Sequence, residues 1–172
     1  MKKLSVLIVT TFFLFSIGLS QSANAQNFQE GDFALNAGIG VGSVYGWAGG
    51  LGMPLGANLE YAITALDAGV IGVGGDFGFV SGSGLTITTF GARGSFYFTE
   101  LFGMDNPDLD IYGGIGIYYR NWSWSGTSLS GFGGTTAAFH AGARYYFTDN
   151  IGGFVELGNN WGWLNLGAAF KF

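Results

Sequence analysis

The chain has 172 residues, of which 33 are glycine, 17% are aromatic, 10% are charged and none is cysteine. Soluble domains carry about 25% charged residues and disordered chains contain few aromatic residues, so this composition is typical of neither class. The lack of cysteine also excludes a disulfide framework and a thiolate metal site.

The first 25 residues have the pattern of a secretory signal peptide. A basic Met-Lys-Lys start precedes an apolar run at 4–19, and Ala-Asn-Ala at 23–25 forms a cleavage site. We expect cleavage before Gln26, not an uncleaved anchor, because the run is short and small residues close it. Residues 26–172 then form one domain with four basic and eleven acidic residues. This excess of acid argues against nucleic acid as a partner.

From residue 33 onward the chain alternates apolar residues with glycine and polar residues, a period of two that predicts β-strands. The first strand, for example, places Phe33 and Leu35 on one face and Ala34 and Asn36 on the other. In chain order, the predicted strands are 33–42, 55–63, 71–79, 90–98, 109–120, 137–147, 153–158 and 163–172. No segment after the signal peptide offers the roughly 18 apolar residues of a spanning helix. If the chain crosses a membrane, it crosses as strands.

The glycine-rich face of these strands is poorly suited to bulk water, because it lacks the usual density of lysine, glutamate, threonine and serine. Its ionisable residues are Glu60, Asp76, Arg93, Asp110, Arg120, His140, Arg144, Glu156 and Lys171. Four carboxylates thus face four cations, the balance that a confined polar interior requires, since an unpaired buried charge is costly. We predict that this face lines a lumen and that the large apolar residues face lipid. The alternative is a secreted soluble barrel with the apolar face inside.

The predicted fold is therefore an all-β, eight-stranded antiparallel up-and-down transmembrane β-barrel. The other acidic residues lie at the N-terminal approach or after strands two, four and six: Glu30, Asp32, Asp67, Glu100, Asp105, Asp108 and Asp149. We call this side the acidic end. The connections after the odd strands contain no ionisable residue, and we call that side the neutral end. Because both termini of an even-stranded barrel are periplasmic, the acidic end should face the periplasm.

Residues 26–172 resemble the small outer-membrane β-barrel family of Gram-negative bacteria, which includes OmpX and the transmembrane domain of OmpA. The last strand carries the most specific element of the resemblance. Leu164, Leu166, Ala168, Phe170 and Phe172 resemble the signal that the barrel assembly machinery recognises. The resemblance implies export, insertion into outer-membrane lipid and a porin-like family fold. We expect a monomer in the cell outer membrane.

His140 is the candidate for catalysis, with Glu156 on the next strand as an orienting acid. The lipid A deacylases and palmitoyltransferases of the outer membrane look similar in fold, but their pattern has a serine near the histidine. Here Ala141 and Gly142 follow, and the serines cluster in loops. We therefore expect a network residue, no enzyme activity and no cofactor. One histidine and no cysteine also argue against a metal site.

All five tryptophans lie in or beside connections at the neutral end: Trp47, Trp122, Trp124, Trp161 and Trp163. One interpretation is an aromatic belt at the membrane interface. The other is an extracellular aromatic rim, because the alternation places Trp122, Trp124 and Trp163 on the inward face, where they could stack on a sugar or an apolar ligand.

The lumen charges allow two interpretations, an ion gate or a structural plug. Open aqueous channels occur in barrels of about 16 strands, so eight strands favour the plug. The sequence thus predicts a barrel with a filled polar lumen that serves in envelope structure or surface interaction. The alternatives are a narrow conduit or binding site for small apolar molecules and, less favoured, a lipid-modifying enzyme.

Overall fold

The computed structural model of the chain describes residues 28–42, 44–45, 50–98, 106–125 and 132–172. In chain order, these residues contain eight strands: β1 (Phe33–Val41), β2 (Leu55–Leu66), β3 (Gly69–Gly82), β4 (Leu85–Tyr97), β5 (Leu109–Trp124), β6 (Phe132–Tyr146), β7 (Ile151–Gly158) and β8 (Leu164–Lys171). Each strand pairs antiparallel with the next, and β8 pairs with β1 to close the barrel. The predicted up-and-down antiparallel barrel is confirmed. The predicted signal peptide lies outside the described residues.

Several strands extend further than the alternation predicted. β4 begins at Leu85 and β6 at Phe132, so the predicted connection at 121–134 is partly strand. The backbone ladder continues there, with Leu85 opposite Trp124 and Trp122 opposite Phe132. Main-chain pairing does not depend on the alternation of apolar residues with glycine, so a strand can continue where that alternation stops. The β3–β4 hairpin turns at Ser83 and Gly84, which both have positive φ angles of 48° and 77°, as a tight hairpin turn requires.

The predicted faces agree with the burial of the side chains. On β2, Leu59 is 46% exposed whereas the neighbouring Glu60 has no exposed surface. Large apolar residues cover the outside, among them Ile115, which is 74% exposed. The lumen instead holds fully buried polar side chains such as Arg144 and Tyr112. This order, polar inside and apolar outside, is the reverse of the soluble-barrel alternative.

Among the described residues, no helix is long and apolar enough to cross a bilayer.

Candidate functional site in the barrel lumen

Arg93 on β4 is the centre of the lumen and contacts three carboxylates. Its Nη2 lies 2.7 Å from Glu156 Oε2 on β7, its Nε 3.3 Å from Glu60 Oε1 on β2, and its Nη1 3.4 Å from Asp76 Oδ1 on β3. None of these four side chains is exposed. One guanidinium therefore joins four strands across the barrel, in a low-dielectric interior where charge-assisted hydrogen bonds are strong.

Arg144 on β6 makes the second set of contacts, nearer the acidic end. Its Nη2 lies 2.9 Å from Glu60 Oε2, and its Nε donates to Asn36 Oδ1 at 2.8 Å. Its Nη1 donates to the Tyr97 hydroxyl at 2.8 Å and lies 4.0 Å from Asp110 Oδ2. Glu60 thus links the two arginines, and Asp76, Asp110 and Glu156 join the same network through them.

Tyrosine hydroxyls complete the network, although the sequence analysis assigned them no role. They donate to carboxylates as follows: Tyr118 to Asp76 at 2.6 Å, Tyr97 to Glu60 at 2.7 Å and Tyr112 to Glu156 at 3.1 Å. The strand alternation already placed all three tyrosines on the inward face. That position was the available signal, because a buried phenol usually finds a hydrogen-bond partner.

Arg120 departs from the expected pairing of each cation with a carboxylate. Its Nη2 donates to the backbone carbonyls of Asn159 and Asn160, and its Cζ lies 5.3 Å from the ring centroid of Tyr45. Among the described residues, no acidic side chain forms an ion pair with Arg120. The reason is position, because Arg120 lies at the neutral end of β5, beyond the lumen carboxylates.

Tyr45 covers Arg120 and reaches into the mouth of the barrel. Its hydroxyl lies 3.1 Å from Thr89 Oγ1 on β4. Burial raises the pKa of Tyr45 above its usual value, so the phenol remains neutral. It therefore contributes a ring and a hydrogen bond to this end of the lumen, but no charge.

His140 has a serine partner that the sequence analysis missed. Its Nε2 lies 2.8 Å from Ser95 Oγ, and the Ser95 hydroxyl donates to Glu60 Oε1. Because the single hydroxyl proton of Ser95 goes to Glu60, Nε2 of His140 carries the proton of the second bond and donates it. In this arrangement His140 is a hydrogen-bond donor to Ser95 and not its base. The predicted acid, Glu156, accepts instead from Arg93, Tyr112 and Asn160.

The β7–β8 connection closes the neutral end of the lumen. Asn160 donates from Nδ2 to Glu156 Oε1 at 2.8 Å and to Asp76 Oδ1 at 3.3 Å. The next residue, Trp161, has no exposed surface, and its side chain lies directly against Gly56 and Gly78. A Cβ atom at either glycine would collide with the indole. Gly56 and Gly78 therefore leave the space that the Trp161 side chain occupies.

The N-terminal segment closes the acidic end in a similar way. Phe28 is buried, and its backbone N–H donates to Asp110 Oδ1 at 2.9 Å. Its ring centroid lies 4.3 Å from that of Tyr97 and 5.8 Å from Cζ of Arg144. Lys171, the remaining predicted lumen cation, lies at this end, with Nζ 4.8 Å from the ring centroid of Tyr146. Both ends of the lumen are therefore filled by the chain itself.

The tryptophans do not form the predicted rim as a set. Trp122 stacks on Phe132 at 5.1 Å between ring centroids, and Trp124 stacks on the same ring at 5.5 Å. Trp163 is half-exposed, whereas Trp161 lies inside the barrel and not at its rim. The correction has a local cause, because the β7–β8 connection folds into the lumen. Trp47 lies outside the described residues.

A cleft of about 390 Å³ opens at the neutral end of the barrel. Its lining is mostly apolar and comes from the end of β1, the β1–β2 connection and β3: Gly40, Val41, Gly42, Tyr45, Leu51, Gly52, Met53, Pro54 and Val80. The cleft lies at the end of the barrel where the tryptophan-bearing connections suggested an apolar ligand, but none of the described tryptophans is among its lining residues.

The predicted assembly strand is β8, which closes the barrel. Phe170 lies opposite Leu35 of β1 and Ile151 of β7, and Leu166 lies opposite Ile39 of β1. The backbone of Phe172 exchanges two hydrogen bonds with Phe33, at 2.9 and 3.0 Å.

No model of a known protein family matches the chain, and no curated protein matches its sequence.

Solved structures do share the fold. The N-terminal β-barrel domain of Pseudomonas aeruginosa OprF has a TM-score of 0.60 and 18% identity, over 83% of this chain and 98% of that one. The outer membrane protein OprG from the same organism has a TM-score of 0.58 and 13% identity, over 86% and 98%. A de novo designed transmembrane β-barrel has a TM-score of 0.51 and 16% identity, over 84% and 98%. The resemblance to small outer-membrane barrels is confirmed in the fold.

Proposed function

We propose that this protein spans the bacterial outer membrane as a β-barrel with a filled polar lumen, and that it serves in envelope structure or surface interaction. The observation that supports this proposal is the reversed order of the barrel, with charges and tyrosines buried inside and large apolar residues exposed outside. A closed barrel satisfies every backbone amide between strands, which hydrocarbon demands of a spanning sheet.

The lumen contacts argue against solute conduction along the barrel axis. Arg93 and its three carboxylates occupy the centre, Trp161 fills the neutral end and Phe28 the acidic end. A path for solute would have to break several buried hydrogen bonds at once, which is costly in a low-dielectric interior. We therefore favour the structural plug over the ion gate.

The geometry around His140 supports a protein without enzyme activity. Both His140 and Ser95 are buried inside the barrel. The Ser95 hydroxyl donates to Glu60, whose carboxylate is held in ion pairs with Arg93 and Arg144 and is therefore a weak base for Ser95. Expression of the protein in cells should leave lipid A unmodified. A changed lipid A profile that depends on Ser95 would contradict this part of the proposal.

Cell fractionation tests the membrane assignment. The mature protein should appear in the outer-membrane fraction, and its electrophoretic mobility should shift between unboiled and boiled detergent extracts, because a closed barrel resists detergent until it is heated. Recovery of the protein from the soluble periplasm, with no mobility shift, would overturn the assignment.

Planar-bilayer recording tests the filled lumen. The purified protein should show no steady large openings, since both ends of the barrel are occupied. Steady openings of the wild-type protein would contradict the structural role and favour a conduit.

The last strand is proposed to guide assembly through the barrel assembly machinery. Replacement of Phe172 by alanine should reduce the amount of heat-shifting protein in the outer membrane. Phe147→Ala is the matched control, because Phe147 is also an exposed aromatic residue but lies before β7. Equal yields of both variants would contradict an assembly role for Phe172.

A second candidate function is the binding of small apolar molecules at the neutral end, which the apolar cleft beside Val80 favours. Purified protein should carry or take up a small hydrophobic ligand. Val80→Phe, which places a larger side chain in the cleft, should weaken that binding, whereas Val155→Phe on the exposed face of β7 should not.

A further inference from the structure

Arg120 is a buried cation whose charge the described residues leave unneutralised. Its side chain is only 9% exposed, and its Nη2 donates to the carbonyls of Asn159 and Asn160. Among the described residues, its Nε–H has no hydrogen-bond partner. A buried guanidinium that is held by neutral carbonyls and a tyrosine ring has lost much of its hydration without gaining a counter-ion.

The rest of the chain offers no counter-ion at this end. All connections at the neutral end, including their undescribed parts, lack aspartate and glutamate in the sequence. The lumen carboxylates Asp76 and Glu156 already contact Arg93 and accept from Asn160. An anion that neutralises Arg120 therefore has to come from outside the protein.

The apolar cleft adjoins this cation through Tyr45. The Tyr45 side chain lines the cleft, and its ring centroid lies 5.3 Å from Cζ of Arg120. On the other side of Tyr45, the cleft is lined by apolar side chains such as Leu51 and Val80. A cation and an apolar surface thus meet at one side chain, which has to move for a ligand to reach both.

We propose that the neutral end binds a small carboxylate with a short apolar chain. The carboxylate accepts hydrogen bonds from the Arg120 guanidinium, and the chain lies in the cleft. The guanidinium suits this role, because its Nε–H, which has no partner among the described residues, can donate to a carboxylate oxygen, and such charge-assisted hydrogen bonds are strong. This inference rests on the second candidate function and adds the charge of the ligand to it.

Calorimetric titration of the full-length protein in detergent with hexanoate, hexanol and acetate separates the two contributions. Wild-type protein should bind hexanoate at least about tenfold more tightly than hexanol, the ratio expected when one charged hydrogen-bonded pair is added. Acetate, which lacks the chain, should bind more weakly than hexanoate. Arg120→Gln should reduce the preference for hexanoate over hexanol to about twofold or less.

Lys171→Gln is the matched control. Lys171 is also a lumen cation, 8% exposed, but it lies at the acidic end, so hexanoate affinity should not change. Each variant is first checked for the heat-dependent mobility shift of a closed barrel. Should the Arg120→Gln barrel fail to close, Arg120→Lys, which keeps the charge but removes the Nε–H donor, should still lower hexanoate affinity several-fold.

The outcomes distinguish the two proposals. Equal binding of hexanoate and hexanol by the wild type, abolished by Val80→Phe, would keep the apolar site and overturn the anion at Arg120. Equal affinity for acetate and hexanoate would overturn the amphipathic ligand. Binding of none of the three would overturn both the cleft function and this inference. If Lys171→Gln also lost hexanoate binding, the affinity would depend on the overall charge of the lumen. That result would overturn the assignment to Arg120.

Discussion

The guanidinium of Arg93 on β4 lies 2.7 Å from the carboxylate of Glu156 on β7, across the lumen. These strands are not neighbours in the sheet, so the contact ties opposite walls of the barrel together. Both side chains are fully buried. Removal of either partner therefore leaves an unpaired charge in the lumen, which strongly destabilises the fold.

Arg93→Gln should therefore reduce the free energy of unfolding by about 3–5 kcal/mol, because it leaves buried carboxylates without their cation. Urea titration of the barrel in lipid vesicles, followed by the heat-dependent mobility shift, measures this loss. The double variant Arg93→Gln with Glu156→Gln should recover part of the lost stability, since it removes one of the carboxylates left without a cation. Simple addition of the two single losses would show that the residues do not interact.

Trp161→Ala should cost about 3–5 kcal/mol, the usual loss for truncating a large buried aromatic side chain. Trp163, two residues further on, is half-exposed, and Trp163→Ala should change stability by about 0.5 kcal/mol or less. The same urea titration compares the two variants. Similar losses of stability for both variants would contradict the buried position of Trp161.

Gly56→Val should displace the Trp161 side chain, because a Cβ atom at position 56 collides with the indole ring. The variant should lose stability, and Trp161 should become accessible to an aqueous quencher of tryptophan fluorescence. Combining Gly56→Val with Trp161→Ala should restore much of the stability that Gly56→Val alone removes. A combined loss equal to the sum of the single losses would contradict the contact.

Phe28→Ala should release the N-terminal segment from the acidic end of the lumen, since it removes the ring that packs on Tyr97. Limited proteolysis of the folded protein should then cut near residues 28–32 more rapidly than in the wild type. Gln29→Ala is the control, because Gln29 lies in the same segment and is exposed. Equal cleavage of both variants would contradict a packed N-terminal segment.

Ile117→Arg should destabilise the barrel in a bilayer by about 2–4 kcal/mol, if this outward face lies at mid-membrane depth. Thr135→Arg, on the outward face of β6 nearer the neutral end, should cost about 0–1 kcal/mol. The difference should disappear in a detergent with a short hydrophobic layer. A soluble barrel would tolerate both substitutions equally.

The orientation can be measured with single cysteines, because the chain contains none. Ser83→Cys, in the β3–β4 turn, should react with a membrane-impermeant thiol reagent in intact cells. Asp67→Cys, in the β2–β3 turn, should react only after the cells are permeabilised. The opposite pattern would show that the acidic end faces outward.

The direction of each side chain was predictable because it depends only on position along a strand. Alternation placed Glu60, Arg93 and Arg144 inside and Leu59 outside, and the structure agrees. The partners were not predictable in the same way. Arg93 meets Glu156, 63 residues away in sequence, because β4 and β7 lie on opposite sides of a closed barrel. The pairing of Ser95 with His140 also depends on that closure.

The connections were the least predictable part of the site. Trp161 has the sequence context of a rim residue, but the β7–β8 connection folds inward and places it against Gly56 and Gly78. Likewise, Arg120 belongs to the inward face, yet its height above the lumen carboxylates leaves it with carbonyl partners. Neither result follows from alternation. A connection has no period that sets the direction of its side chains, and alternation along a strand does not set the height of a residue relative to residues on other strands.

The sequence by itself determined the strands, their inward and outward faces and the separation of acidic and neutral ends, because a period of two is a local property of an extended backbone. Only the tertiary structure decided which charges meet, that Phe28 and Trp161 fill the two ends of the lumen, and that Arg120 has no acidic partner among the described residues. Those relationships depend on the distance and height between residues on different strands, which barrel closure and strand register set together.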